Sequence, residues 1–260
     1  MVSKPILKAI TDNRLGDIRL LATDLDGTLT LDDKFSSGLI RVLERLKQSN
    51  IQVLIVTGRS AGWVSAIATY LPLVGAIAEN GGLLFWSNGA KPQILTPIAN
   101  IEAHRQKLRS TFQLLQNKFP QIQESQDNCF RITDWTFDVR DLNQDELQQI
   151  DRICRAEGWG FTYSTVQCHI KPPTQDKAIA LELILQRYYP HLKLEQIITL
   201  GDSPNDESLF QPKFPFSVGV ANILDYRDRL QHLPVYVTQA SEASGFIELA
   251  ELVINTNKPA

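Results

Sequence analysis

The sequence has few cysteines and no pattern that would join them. Its three cysteines, Cys129, Cys154 and Cys168, are an odd number at wide spacing, and no two of them form a C-x-x-C pair. Disulfide-built secreted domains and cysteine-ligated zinc sites need paired or closely spaced cysteines. We therefore expect free structural thiols and a reduced compartment.

Long hydrophobic runs are also missing. No apolar stretch approaches the length of a membrane span. Residues 1–17 mix charged side chains with short apolar pieces, which is unlike the apolar region of a signal peptide. We expect a cytoplasmic protein that has no membrane partner.

The sequence also lacks an excess of positive charge. Lysine and arginine number 26 against 29 aspartates and glutamates, which gives a net charge of −3. Because proteins that bind the phosphate backbone carry surplus lysine and arginine, we expect no nucleic-acid partner. The 43% hydrophobic content is that of an ordinary globular protein, and 260 residues suffice for a core and a second domain. We expect a monomer or a weak dimer.

The first part of the chain alternates apolar strands with amphipathic helices. A parallel sheet with right-handed crossovers has this pattern, so the fold class is α/β with a doubly wound, Rossmann-like core. The predicted elements are a strand at 18–23, a helix at 36–49, a strand at 51–56, a helix at 60–70 and a strand at 74–78.

A different pattern follows and then the first one returns. We predict an inserted α+β cap with helices at 101–118 and 144–157, a hairpin around 87–89, and strands near 129–133, 136–140, 160–163 and 166–170. The core resumes with a helix at 176–189, strands at 197–200, 216–220 and 235–238, and helices at 223–230 and 245–254. The predicted domains are therefore 1–84 (core), 85–173 (cap) and 174–260 (core).

Polar residues follow several predicted core strands at the point where each strand ends. They are Asp24, Asp26, Thr57, Asn80, Asp202, Asn205 and Asp206. Since the carboxyl ends of parallel strands share one edge, we expect these side chains to converge. Four carboxylates there would repel one another, and a bound Mg²⁺ with one nearby cation would relieve this. Lys177, which opens the helix after the insertion, is the expected cation.

This constellation has the parts for phosphoryl transfer. A phosphate would meet Mg²⁺, the Lys177 ammonium, the Thr57 hydroxyl and backbone N–H groups of the turn at 26–28. Asp24 can then attack phosphorus to give an aspartyl-phosphate, which water hydrolyses. Asp26 can protonate the leaving oxygen and later deprotonate that water. An EF-hand calcium site is disfavoured, because the glycine here is fourth in the loop and not sixth.

Four ordered stretches resemble the motifs of the haloacid-dehalogenase-like phosphatases. They are Asp24-Leu25-Asp26-Gly27-Thr28, Val56-Thr57-Gly58-Arg59, Lys177 and Gly201-Asp202-Ser203-Pro204-Asn205-Asp206. The resemblance spans nearly the whole chain. The place of the insertion, together with Glu79-Asn80-Gly81-Gly82, is similar to subclass IIB, which includes sucrose-phosphate and mannosyl-3-phosphoglycerate phosphatases and carries a large α+β cap.

The resemblance implies a role for each motif residue. Asp24 would be the nucleophile and a Mg²⁺ ligand, and Asp26 would be the acid/base, with its backbone carbonyl on the metal. Asp202 would be a further ligand, and Asp206 would hold a metal-bound water or orient the site. The residues expected to bind phosphate or substrate are Gly27, Thr57, Gly58, Asn80, Lys177 and Asn205.

These observations predict a Mg²⁺-dependent phosphomonoesterase that acts on a small phosphorylated metabolite, a sugar phosphate or phosphorylated glycoside. Two alternatives remain open, a phosphomutase of sugar phosphates and a non-enzymatic phospho-ligand-binding protein. Polar residues of the cap strands could face the site, but for each of them we expect a solvated or structural role. They are Arg131, Gln167, His169 and Lys171.

Overall fold

The computed structural model describes residues 3–164 and 166–257, and within them the strands form a nine-stranded sheet and a separate three-stranded sheet. The strands are β1 (Lys4–Pro5), β2 (Leu20–Thr23), β3 (Gln52–Val56), β4 (Gly75–Ala78), β5 (Leu83–Trp86), β6 (Gln93–Ile94), β7 (Trp135–Asp138), β8 (Gly160–Tyr163), β9 (Gln167–Lys171), β10 (Ile197–Gly201), β11 (Ser217–Gly219) and β12 (Tyr236–Val237).

The helices surround these sheets. The α-helices are α1 (Lys8–Thr11), α2 (Ser37–Gln48), α3 (Ala61–Tyr70), α4 (Ile101–Lys118), α5 (Gln144–Ala156), α6 (Lys177–Tyr188) and α7 (Glu242–Thr256). Short 3-10 helices cover Gln126–Phe130, Leu194–Gln196, Pro204–Phe210 and Ala221–Arg229. The predicted helix at 223–230 is thus a 3-10 segment. None of the helices in the described residues is long and apolar enough to cross a membrane.

The large sheet has the order β1-β12-β11-β10-β2-β3-β4-β5-β6 and is parallel from β1 to β4. This arrangement confirms the predicted α/β, doubly wound core. Strand β2 lies between β10 and β3, with Leu20 in register with Ile197 on one side and Gln52 on the other. The loops after these three strands consequently leave the sheet side by side.

Buried apolar side chains cover both faces of this sheet. All four residues of β2 are buried, as a strand at the centre of a parallel sheet requires. Leu21 packs in one cluster with residues of α2, α3 and α7, whereas Leu20 packs on the opposite face with residues of α6. The first helix after β2 begins where predicted, because the Ser36 hydroxyl accepts a hydrogen bond from Leu39 N at 3.1 Å and caps it.

The predicted hairpin around residues 87–89 lies in the core sheet and not in the inserted layer. Strand β5 pairs antiparallel with β4, and β6 pairs antiparallel with β5. Leu83 and Leu84 are buried within the core clusters, so pairing at the edge of the large sheet removes them from water. The hairpin therefore extends the core.

A second layer is built on the small sheet, whose order is β7-β9-β8 with antiparallel pairing throughout. Helices α4 and α5 bury Leu108, Phe112 and Ile150 against Phe137 and Ile170 of this sheet. We call this layer, from α4 to β9, the cap. The predicted division of the chain at residues 85 and 173 stays a prediction.

One predicted cap strand is wrong. Residues 129–133 do not form a strand, because Gln126–Phe130 is a 3-10 helix and residues 131–134 lie in an irregular segment before β7. The Asn128 side chain forms hydrogen bonds with the backbone of strand β7. Its Oδ1 accepts from Thr136 N at 2.9 Å, and its Nδ2 donates to Thr136 O at 2.7 Å. A side chain thus makes the contacts that another strand would have made.

Candidate active site

The site lies at the carboxyl edge of the large sheet, where β2 ends. Asp24 follows β2 directly, and its backbone N–H donates to Leu200 O in the adjacent strand β10 at 3.1 Å. This bond continues the parallel ladder by one residue beyond β2. The Asp24 carboxylate is consequently fixed at the sheet edge, where it is almost completely buried.

Two further carboxylates come from the loop after β10. Asp202 and Asp206 are both fully buried, and carboxylate oxygens of Asp24, Asp202 and Asp206 lie within 4.8 Å of one another. The Asp206 Oδ2 accepts hydrogen bonds from the backbone N–H groups of Asp202 at 3.0 Å and Ser203 at 3.2 Å. The tight turn at the start of the 3-10 helix thus aims both carboxylates at Asp24.

Lys177 supplies the cation that the sequence predicted. It is the first residue of α6, whose N-cap Asp176 accepts from Ala178 N at 2.8 Å. The buried Lys177 ammonium donates to Asp24 Oδ1 at 2.5 Å and to Asp206 Oδ1 at 2.6 Å. One ammonium therefore bridges carboxylates from two different strand ends.

The charges of this cluster do not balance. Burial raises the pKa of Asp24 to about 7, and the neighbouring Asp206 charge adds to the effect. Burial and the Asp24 charge likewise raise the pKa of Asp202 well above its ordinary value. Burial alone would lower the pKa of Lys177, but the Asp206 and Asp24 charges outweigh it and raise that pKa. The cluster is short of positive charge.

A divalent metal fits this cluster. Asp24, Asp202 and Asp206 offer carboxylate oxygens, the hard donors that Mg²⁺ prefers, and their oxygens are close enough to share one ion. The raised pKa values of Asp24 and Asp202 indicate that a further cation would relieve the repulsion. Asp202 is also oriented from outside the cluster, since Thr28 Oγ1 donates to its Oδ1 at 3.0 Å and Asn222 Nδ2 to its Oδ2 at 2.9 Å. Asn222 comes two residues after the predicted strand at 216–220, but its neighbours Ala221 and Ile223 are apolar and form no acidic motif, so sequence reasoning missed it.

The second aspartate of the first motif has a different partner. The Asp26 side chain points to Arg59, which donates from Nε at 2.8 Å and from Nη2 at 2.6 Å. The Asp26 carboxylate is partly exposed and is separate from the buried three-carboxylate cluster. The two aspartates of the motif therefore occupy different environments.

Gly27 connects the two aspartates to the turn that follows. Its φ of +75° lies in the left-handed region that favours glycine, and a side chain there would collide with the Asp202 carboxylate. Its N–H donates to Thr30 Oγ1 at 2.9 Å, so this donor is already occupied. The structure explains Gly27 by backbone conformation and close approach.

The other predicted phosphate-site residues come together around Asp24. Thr57 is buried directly after β3, and its hydroxyl accepts from Arg59 N at 3.2 Å. Asn205 donates through Nδ2 to Asn80 Oδ1 at 3.2 Å, and the Asn80 Nδ2 is buried without a partner among the described residues. A small cavity at this place is lined from the core by Asp24, Asp26, Thr57, Gly58, Arg59, Ser203 and Asn205.

The cap closes the other side of this cavity with Ser164, Val166, Gln167 and His169. Arg131, His169 and Lys171 are buried, so a solvated role does not apply to them. Arg131 donates to Asp134, Asp127 and Gln167 and also to Gly58 O of the core, at 3.0 Å. Sequence reasoning missed Asp134, because its partner His169 lies 35 residues away on β9 and no local spacing indicates that contact.

Glu79 is a second missed residue at the boundary of cap and core. It is fully buried directly after β4, and its carboxylate accepts from Ala61 N at 3.0 Å, Ile132 N at 3.0 Å and Thr133 N at 2.6 Å. One carboxylate thereby caps helix α3 of the core and holds the chain that leads into β7 of the cap. Its position before Asn80-Gly81-Gly82 was the available signal.

Comparison with known proteins gives consistent results. The sucrose-6F-phosphate phosphohydrolase family model matches residues 18–251. Phosphoglycolate phosphatase 1 of Saccharolobus solfataricus is 28% identical over 244 residues, which cover 91% of this chain and 96% of that protein.

Two solved structures share the fold. The sucrose-phosphatase of Synechocystis sp. PCC6803, in complex with sucrose and phosphate, has a TM-score of 0.68 at 18% identity, over 92% of this chain and 98% of that one. The C-terminal domain of C. albicans trehalose-6-phosphate phosphatase has a TM-score of 0.74 at 15% identity, over 98% of each chain.

Proposed function

The chain belongs to the sucrose-6F-phosphate phosphohydrolase family, within the haloacid-dehalogenase-like phosphatases, and from this membership we propose that it is a Mg²⁺-dependent phosphomonoesterase of small phosphorylated metabolites. The favoured substrate is a sugar phosphate or a phosphorylated glycoside. The names of its relatives, which include a phosphoglycolate phosphatase, support a small phosphorylated compound in general.

The observation that carries the proposal is the cluster of Asp24, Asp202 and Asp206 around the Lys177 ammonium, with Asp26 outside it. Lys177 holds Asp24 Oδ1 at 2.5 Å and so fixes the orientation of the carboxylate. A fixed carboxylate at the floor of a cavity, ionised once a metal ion has displaced its proton, is a suitable nucleophile for an in-line attack on phosphorus. A merely structural ion pair would not leave three buried carboxylates with one cation.

In the first step an Asp24 oxygen forms a bond to phosphorus while the ester bond to the leaving oxygen breaks. Asp26, which must first take up a proton and release one of its two contacts with Arg59, gives that proton to the leaving oxygen, and the leaving group departs as an alcohol. In the second step Asp26 takes a proton from water as the water oxygen attacks phosphorus. The bond between phosphorus and Asp24 then breaks, and inorganic phosphate is released.

Asp24, Asp202 and Asp206 would hold the metal, with the Asp26 backbone carbonyl as a further ligand. When bound, Mg²⁺ supplies positive charge that screens the repulsion between the nucleophile and the phosphoryl oxygens. Thr57 and Lys177 would bind the phosphoryl group. Asn80 Nδ2, which has no partner in the described part of the chain, is a further donor for it.

The cap accounts for the restriction to small substrates. With Gln167 and His169 above the core residues, the cavity measures only about 20 Å³, well below the volume of small-molecule sites, so the cap must shift to admit even a small ester. A macromolecular phosphate ester could not enter without removal of the cap. The same closure excludes bulk water from the reacting groups.

The test is phosphate release from a panel of phosphorylated sugars, glycosides and phosphoglycolate, with excess Mg²⁺ or with EDTA. We expect turnover of at least one ester with Mg²⁺ and none with EDTA. Transfer of labelled phosphate to an isomeric sugar without free phosphate would identify a phosphomutase instead. Purified, folded protein that binds phosphate but hydrolyses no ester would leave the non-enzymatic alternative.

A further inference from the structure

His169 reaches the active-site cavity from the cap. It lies on β9, the central strand of the cap sheet, and is 1% exposed. Cys168 and Ile170 of the same strand pack in the cap core. Because side chains alternate along a strand, His169 lies on the opposite face, toward the catalytic core.

The imidazole crosses the boundary between cap and core. A hypothetical Cβ on Gly58 would lie 3.1 Å from His169 Cε1 and 3.2 Å from Nε2. This edge of the ring therefore touches the backbone directly after Thr57. His169 and Asp24 line the same cavity, so a substrate whose phosphorus meets Asp24 would also lie near the imidazole.

Asp134 determines which ring nitrogen carries the proton. His169 Nδ1 and Asp134 Oδ2 are 2.8 Å apart, and Arg131 Nη1 donates to both oxygens of the same carboxylate at 3.0 and 3.1 Å. Burial opposes the ionised form, but the Arg131 charge and the His169 hydrogen bond outweigh it and lower the pKa of Asp134. An ionised carboxylate can only accept, so Nδ1 bears the hydrogen.

The second nitrogen is left as an acceptor. Burial lowers the pKa of His169 although Asp134 acts against this, and the Arg131 and Lys177 charges add to the effect. A neutral imidazole with its hydrogen on Nδ1 has a lone pair on Nε2. A hydroxyl group can donate to that lone pair, whereas a carboxylate has no hydrogen to offer.

We propose that His169 is a specificity-determining residue of the cap, whose Nε2 accepts a hydrogen bond from a hydroxyl group of the leaving alcohol. The site then favours phosphate esters of polyhydroxylated alcohols over phosphorylated hydroxy acids that would place a carboxylate there. Asp134 is a positioning residue for this contact, and Arg131 fixes Asp134. The inference rests on the proposed phosphomonoesterase function and names the substrate class within it.

The test compares His169→Asn with the wild-type protein. Asparagine can still donate to Asp134 but lacks an atom at the Nε2 position. The substrates are sucrose 6F-phosphate, glucose 6-phosphate, phosphoglycolate and p-nitrophenyl phosphate, which has no hydroxyl group. His191→Asn, at an exposed position after α6, is the matched control and should leave all rates unchanged.

We expect the wild-type protein to prefer a sugar phosphate over phosphoglycolate. His169→Asn should lower kcat/KM for that sugar phosphate about tenfold, chiefly through KM, as loss of one hydrogen bond would. The value for p-nitrophenyl phosphate should change less than about threefold, since no hydrogen bond is lost there. His169→Gln, which offers an amide oxygen near the Nε2 position, should recover part of the loss and also serves if His169→Asn does not fold.

Three outcomes would overturn the inference alone: wild-type preference for phosphoglycolate, an equal loss on all substrates in His169→Asn, or no change on any. A wild-type protein that hydrolyses none of the four esters would overturn the proposed function itself, and this inference with it. The two failures are thus distinguishable.

Discussion

Arg59 donates a hydrogen bond to each carboxylate oxygen of Asp26, from Nε to Oδ2 at 2.8 Å and from Nη2 to Oδ1 at 2.6 Å. The guanidinium carbon also lies 4.9 Å from the centre of the Trp63 ring, and this cation–π contact fixes the position of the arginine. A bidentate pair fixes the plane of a carboxylate as well as its position. Arg59 therefore orients the residue to which we assign proton transfer.

Replacement of Arg59 should impair proton transfer more than attack on phosphorus. We expect Arg59→Met to lower kcat about tenfold for alkyl phosphates, because their leaving oxygens need the proton of Asp26. The loss should be small for p-nitrophenyl phosphate, whose leaving group departs readily without a proton. Steady-state kinetics on both ester classes measure the difference. Asp26→Asn is the reference variant. It should lose more kcat than Arg59→Met on alkyl phosphates, and its loss on p-nitrophenyl phosphate should again be the smaller one. Equal losses on both classes in Arg59→Met would contradict an orienting role.

Replacement of Asp24, the proposed nucleophile, should remove activity without lowering stability. We expect Asp24→Asn to lower turnover by at least about a thousandfold, since no other group replaces the attacking oxygen. The melting temperature of the metal-free protein should not fall, because the change removes one charge from a repelling cluster. Phosphate release and thermal unfolding measure the two effects. Asp33→Asn, on an exposed turn, is the control. Near-normal turnover in Asp24→Asn would exclude Asp24 as the nucleophile.

The raised pKa of Asp24 predicts how metal binding depends on pH. With a pKa of about 7 in the folded protein and an ordinary value of 3.8, Asp24 keeps a proton on folding between these two values. The metal-free protein should therefore lose stability as the pH rises through 7. Mg²⁺ must displace that proton, so its affinity should rise up to about tenfold per pH unit below 7. Thermal unfolding with Mg²⁺ or EDTA at pH 6 and pH 8 tests both trends. A stabilisation by Mg²⁺ that is equal at the two pH values would disprove the prediction.

Glu79 should matter for stability although it touches no reacting group. Its carboxylate accepts from three backbone N–H groups and from Thr133 Oγ1 at 2.7 Å. In Glu79→Gln an amide NH₂ would face donors, so we expect a loss of about 2–4 kcal/mol in the free energy of unfolding. Denaturant unfolding measures this loss. Glu44→Gln, at an exposed position on α2, should change stability by less than about 0.5 kcal/mol. Equal stability of the two variants would show that the Glu79 contacts contribute nothing.

Much of the fold was predictable where local patterns and topology agree. Helix α4 begins and ends at the predicted residues, since its apolar spacing and its Asn100 cap are both local. The acidic residues after β2 and β10 were expected to meet, because neighbouring parallel strands end at one edge. The structure brings Asp24, Asp202 and Asp206 together as this rule requires.

The cap side of the site was not predictable by the same means. His169 meets Asp134 across 35 positions of sequence, and Arg131 meets Gly58 across 73. The first contact depends on strand pairing within the cap and the second on how the cap rests on the core, and no local periodicity encodes either. The prediction that the hairpin of β5 and β6 belongs to the inserted cap was wrong for a related reason. The strand pattern of the hairpin fits either sheet, and only tertiary pairing decides between them.

The boundary contacts of Glu79, Arg131 and Gly58 have a consequence for engineering new specificity by exchange of caps. A transplanted cap would have to bring donors equivalent to Ile132 N and Thr133 N, because otherwise the buried Glu79 carboxylate would lose its partners. It would also need a donor for Gly58 O, next to Thr57. Chimaeras that keep residues 131–133 with the recipient core should therefore fold more readily than those that replace them.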